Sequence, residues 1–183
     1  MHGRESYRRN SYLVSYTFYK NILFVMPQFW FGFFSAFSGQ VFYEKWIFQI
    51  YNIFFTAFPI MLFALFDQEH SKSVLMEKPK HYKIGLKNQC FSTLIFWKWI
   101  AYGFGMSAVV FFISFFTFNE SMSPDNGQLG DLWLEGTFAY GAIVILANMA
   151  ILYGSYSHTL ISVLMITASV SAYFVIFWLF SSL

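Results

Sequence analysis

Residues 12–37 read YLVSYTFYKNILFVMPQFWFGFFSAF, and Lys20 is the one charge among them. About 20 mostly apolar residues suffice to cross the hydrocarbon layer of a bilayer. In lipid a lone segment has to satisfy its own backbone groups, so the run is read as a helix. Working outward, four more runs have the same character: 46–66, 94–118, 133–153 and 159–180. The sequence predicts an all-α fold, a polytopic transmembrane bundle of about five spans. No internal repeat or low-complexity tract divides it, so residues 1–183 read as a single membrane domain.

The totals agree with lipid as the solvent. Of 183 residues, 57% are hydrophobic and 11% charged, against roughly a quarter charged in a soluble domain. A soluble fold of this size could not cover its surface with so few polar groups. Aromatics make up 24% of the chain. Phe suits the hydrocarbon, and Tyr and Trp suit the interface, where ring and polar tip are both satisfied. A net charge of +2 is too small to suggest nucleic acid as a partner. Cys90 is the single cysteine, which excludes an internal disulfide. His2, His70, His81 and His158 are scattered without metal-ligand spacing, and no phosphate-binding loop of the G-x-x-x-x-G-K-[ST] type occurs. Nothing here builds a catalytic site for covalent chemistry.

Charge distribution orients the spans. Arg4, Arg8 and Arg9 precede the first run, and Lys72, Lys78, Lys80, Lys83 and Lys87 lie between the second and third. The connection 119–132 carries Glu120, Asp125 and Asp131 and no base. Basic loops stay in the cytoplasm, so the N-terminus and residues 67–93 are expected there. Asn119-Glu120-Ser121 then forms a glycosylation sequon on the outer side, close to the membrane. Asp67 and Glu69 read as solvated charges marking the end of the second span.

Polar residues within the spans are costly and so are functional candidates. In the first, Asn21, Gln28 and Ser35 recur every seven residues on one helix face, beside Lys20. Pro27 deletes the bond to the Leu23 carbonyl and predicts a kink. In the second, Asn52, Thr56 and Pro59 fall at i, i+4 and i+7, again one face. Two readings stand for these stripes: the wall of a hydrated path, or helix packing with Lys20 snorkelling to the interface. Lys98 reads as a snorkelling anchor, Gly103 and Ser107 as a helix contact, and Asn148 as an interhelical hydrogen bond. Ser169 and Ser171 are expected to bond their own backbone.

Several motifs resemble a known family. His2-Gly3-Arg4, Ser6-Tyr7 with Arg9, and Phe18-Tyr19-Lys20-Asn21 are similar to the start of the fifth membrane helix of the type IV P-type ATPases, the phospholipid flippases. Met26-Pro27-Gln28-Phe29-Trp30-Phe31 and Phe37-Ser38-Gly39-Gln40 continue the likeness. So do Tyr51-Asn52, Phe55-Thr56, Pro59, Phe66-Asp67-Gln68 and Phe96-Trp97, with Asp131-Leu132-Trp133 and Asn148 further on. Glu5, Ser35 and Ile60 stand where the family usually has Trp, Asn and Pro.

The resemblance implies helices five to nine of a ten-helix membrane domain. It implies ATP-driven movement of phospholipid from the outer to the cytoplasmic leaflet of a plasma, Golgi or endosomal membrane. Lys20, Asn21, Gln28, Ser35, Asn52 and Thr56 would then line the lipid path. The phosphorylation, nucleotide and actuator loops are not in this chain, so it is expected to hold no cofactor itself, ATP and Mg2+ being implied for the complete enzyme. Expected partners are phospholipid, the remaining helices and cytoplasmic domains of the ATPase, and the family's accessory glycoprotein subunit. The chain is expected to be a fragment, a truncated product or half of a split enzyme. Two other classes fit the residues: a small channel or carrier, and a scaffold that binds a flippase complex.

Overall fold

A computed structural model describes residues 2–43, 49–70, 72–77, 83–86, 88–118, 132–157 and 159–181. The acidic connection with its sequon, the start of the second span at Trp46, and Lys78, Lys80, Lys87, His81 and His158 lie outside the described residues. The described elements are helical. α1 spans His2–Phe34, a π-helical turn covers Tyr51–Phe55, and α2 follows as Ala57–Phe66. The short α3 (Lys72–Glu77) and α4 (Lys83–Leu86) lie in the basic connection. α5 is Thr93–Phe118, α6 Leu132–Gly154 and α7 Leu160–Ser181.

Among the described residues three helices, α5, α6 and α7, are long and apolar enough to cross a membrane. Their bounds fall within a residue or so of the runs read from the sequence. The first run differs. α1 begins at His2, ahead of the expected Tyr12, and its 33 residues measure about 50 Å. That exceeds the roughly 30 Å hydrocarbon layer, so its polar first turns stand clear of it. It ends at Phe34, and the chain leaves through left-handed Ala36 and Phe37. The Phe37 N–H there bonds back to the Gly32 carbonyl at 2.8 Å. The second run differs more, being interrupted by the π turn ahead of α2.

α1 packs along α5 and against α6, while α2 and the π turn pack on α7. Lipid is as apolar as Leu, so close approach rather than burial holds such helices together. Gly103 shows how. A side chain there would press on the Tyr19 ring and carbonyl at 3.2 Å. One turn on, Ser107 accepts from Trp30 Nε1 at 3.2 Å. The expected small-residue contact on α5 is therefore the α1–α5 seam. The core is aromatic: the Phe24 and Tyr51 rings stack at 4.2 Å, with Tyr140 edge-on to both. α6 is the central helix, burying Ala139, Tyr140, Ile143, Val144, Ala147, Asn148 and Ile151 on one broad face.

Candidate functional site

Lys20 lies inside this core, 7% exposed. Its Nζ donates to Thr56 Oγ1 at 2.8 Å, and Thr56 is fully buried. No carboxylate pairs with it among the described residues. Snorkelling is thereby excluded: the side chain runs into the bundle, not along it to the interface. A buried cation with one neutral partner is expensive, because a hydroxyl returns little of the lost hydration.

The π turn makes the pairing. In an α-helix Asn52 and Thr56 would share a face. Here Asn52 is exposed while Thr56 and Pro59 are buried, so the expected single face for Asn52, Thr56 and Pro59 does not form. Thr56 Oγ1 in turn donates to the Tyr51 carbonyl at 3.0 Å, closing the turn through a side chain. The Tyr51 hydroxyl donates to the Lys20 carbonyl at 3.2 Å and ties the π turn to α1. Such turns occur mostly at functional positions.

Behind Thr56 is a second polar contact between helices. Pro59 has no N–H, so the Phe55 carbonyl loses its helical partner. Ser169 Oγ donates to it at 2.6 Å and Asn148 Nδ2 at 3.2 Å. Asn148 is an interhelical bond, as read. Ser169 is not: it reaches across to Phe55 instead of its own helix, because that carbonyl is a better acceptor than one already bonded.

The rest of the α1 stripe is divided. Asn21 is exposed on the surface, about 100° around the helix from Lys20. Gln28 is spent on backbone: its Oε1 accepts the Phe42 N–H at 2.6 Å, and its Nε2 donates to the Gln40 carbonyl at 2.9 Å. It therefore clamps the segment that turns back after α1. Ser35, with Gln28, Gly32, Phe37, Gln40 and Tyr43, lines a cleft of about 470 Å³ beside that segment. Gly136 of α6 seats the same segment, since any side chain there would collide with the Phe42 carbonyl. Lys20 and Thr56 come together, Gln28 and Ser35 share the cleft, and Asn21 and Asn52 join neither group.

The whole chain, residues 1–183, matches the family model described as "Phospholipid-translocating P-type ATPase C-terminal". The chain belongs to this family. It is 39% identical over 167 residues to Phospholipid-transporting ATPase DRS2 of Saccharomyces cerevisiae, covering 89% of this chain and 12% of the yeast protein. It is 36% identical over 176 residues to Phospholipid-transporting ATPase ID of Mus musculus, covering 96% of this chain and 15% of the mouse protein. This chain therefore spans a small share of the length of these flippases and is a transmembrane part of their C-terminal region.

At the end of this flippase region that carries the α1 N-terminus, the structure holds a cluster that the sequence reading missed. Arg4 pairs with Glu5 at 2.7 Å and Glu69 at 2.6 Å, and Arg8 with Asp67 at 2.5 Å and Glu5 at 3.3 Å. Arg9 Nη1 donates to the Ala64 and Leu65 carbonyls, capping the end of α2. Asp67 is 2% exposed, not solvated as expected. Its Oδ1 accepts the Tyr156 and Ser157 N–H groups at 2.8 and 2.9 Å, holding the turn between α6 and α7. Burial pushes the Asp67 carboxyl up, but the Ser157 N–H and the Arg8 guanidinium outweigh it and hold it below the usual range. Glu5 joins this cluster as a third carboxylate.

The carboxylates at this end are taken by arginines and backbone N–H groups, and no three His, Cys, Asp or Glu among the described residues converge on a metal position.

Proposed function

We propose that this chain forms a wall of the phospholipid path in an ATP-driven flippase, with Lys20 as the group that meets the headgroup phosphate. The observation that carries this is the buried Lys20 ammonium, held by a hydroxyl and by no carboxylate among the described residues. A phosphate is the partner such a cation lacks, and in a low-dielectric slot the attraction is far stronger than in water. Thr56 gives the ammonium a resting place between passages, one weak enough to be exchanged for an anion. The cleft at Gln28 and Ser35 lies toward the opposite end of α1 from the arginine cluster and is read as the outer end of the path. Asn21 and Asn52 face outward from this chain and are read as amides presented to the remaining helices of the ATPase.

In this reading phospholipid moves from the outer to the cytoplasmic leaflet, with the N-terminus and the 67–93 connection in the cytoplasm. ATP and Mg2+ act in the cytoplasmic domains of the complete enzyme, and no step through them is assigned to this chain. The relatives' names as phospholipid-transporting ATPases support the lipid class. The accessory glycoprotein subunit is a further proposed partner. The test is flipping of a fluorescent phospholipid in vesicles by the natural full-length polypeptide and its Lys20→Met variant. Loss of flipping with protein still folded is expected. Unchanged flipping overturns the reading.

A further inference from the structure

Deep in the bundle, the Phe55 carbonyl has lost its helical donor to Pro59. Backbone left bare in lipid is strongly disfavoured, and here two other helices supply the remedy. Ser169 on α7 and Asn148 on α6 both donate to that one oxygen. Asn148 is 1% exposed, and its Nδ2 also donates to the Val144 carbonyl at 2.9 Å. Its Oδ1 accepts no bond among the described residues. The amide is therefore present for its two hydrogens, in a place where an aliphatic side chain would otherwise pack at less cost. The residue after Phe55 is Thr56, the partner of Lys20.

We propose that Asn148 and Ser169 are positioning residues of the lipid path: by holding the Phe55 carbonyl they keep the π turn open and Thr56 under the Lys20 ammonium. This rests on the reading of Lys20 given above. If the turn closed to an ordinary α-helix, residues before it would rotate by about 100° against those after it. Tyr51 and Thr56 could not then both face α1. The polar contact between α6, α7 and the Phe55 carbonyl thus sets the geometry of a cation on a fourth element, with no contact to it.

The test measures ATP hydrolysis by the natural full-length polypeptide, in vesicles of phosphatidylserine and phosphatidylcholine, as the phosphatidylserine fraction is varied. Asn148→Leu is expected to raise the half-saturating lipid fraction severalfold, no more than Thr56→Ala does, with a smaller change in maximal rate. Added to Thr56→Ala it is expected to do no further harm, since both act through one contact. Pro59→Ala gives the Phe55 carbonyl the ordinary helical donor in competition with Asn148 and Ser169, and is expected to shift the lipid dependence in the same direction as Asn148→Leu. A packing role for Asn148 would be neither masked by Thr56→Ala nor mimicked by Pro59→Ala, so additivity or a silent Pro59→Ala overturns the proposal. Ser169→Ala carries the same two expectations should Asn148→Leu not fold. Lipid dependence unchanged in Lys20→Met overturns the underlying reading, whereas a normal Lys20→Met loss with additive Asn148→Leu overturns the positioning role alone.

Discussion

Two regions of the molecule treat charge in opposite ways. At the N-terminal end of α1, Arg4 and Arg8 meet Glu5, Asp67 and Glu69 within ordinary ion-pair distance, and Arg9 caps α2. Some four turns along the same helix, Lys20 is buried with a single hydroxyl. The first arrangement gives Arg4 and Arg8 carboxylate partners and joins α1, the end of α2 and the 155–157 turn into one block. The second leaves the ammonium without a counter-charge among the described residues, and in the proposed reading a passing anion takes that place.

Asp67→Asn is expected to give the largest change in stability. Removing one member of a buried, hydrogen-bonded pair leaves Arg8 with only its longer contacts to Glu5 and Glu69, at a cost of about 3 kcal/mol. Thermal unfolding in detergent reads this directly. Lys20→Met is expected to behave in the reverse sense. Flipping falls about a hundredfold, corresponding to some 2.7 kcal/mol of lost phosphate binding in the transition state. The unfolding temperature stays level or rises, because an unpaired buried charge has been replaced by an apolar chain of similar length.

Smaller effects sharpen the contrast. Thr56→Ala removes the bond from the Lys20 ammonium and the bond to the Tyr51 carbonyl, together worth roughly 2–3 kcal/mol, and is expected to alter flipping severalfold with a modest loss of stability. Acid separates the two regions again. The folded Asp67 holds its proton less tightly than an unfolded carboxyl, whose usual pKa is about 3.9. Its contribution is therefore fully present above that value and is lost as the pH falls through the lower folded value. Unfolding temperature is expected to lose a share below about pH 4 that Asp67→Asn no longer loses. Gln28→Ala, which frees the segment at Gln40 and Phe42, is expected to have the mildest effect on stability, a loss of roughly 1–2 kcal/mol in thermal unfolding.

Much of the fold was legible in the sequence, and for a clear reason. α5, α6 and α7 are long apolar runs whose ends the polar residues mark, so their bounds could be read closely. The apolar run from Tyr12 marks only part of α1, because the polar turns from His2 onward remain helical without an apolar signal. The π turn has no periodic signature, since one extra residue shifts the register without changing composition. Its only trace is Pro59, which announces a free carbonyl at Phe55 but not the side chains that claim it. For the same reason Ser169 was assigned to its own helix. Lys20 and Thr56 were both candidates, yet their meeting depended on that register. The Arg8–Asp67 pair lies 59 positions apart in the chain, and no local pattern predicts it.

The central claim is that Lys20 exchanges Thr56 for a lipid phosphate. The most direct test is a magnetic-resonance measurement of the distance between a labelled Lys20 Nζ and phospholipid phosphorus, in bilayers, during turnover of the full-length polypeptide. The account predicts a close contact, within about 4 Å, that disappears when turnover is arrested before lipid enters. A Lys20 nitrogen that never approaches phosphorus, in a protein that still flips lipid, would contradict it.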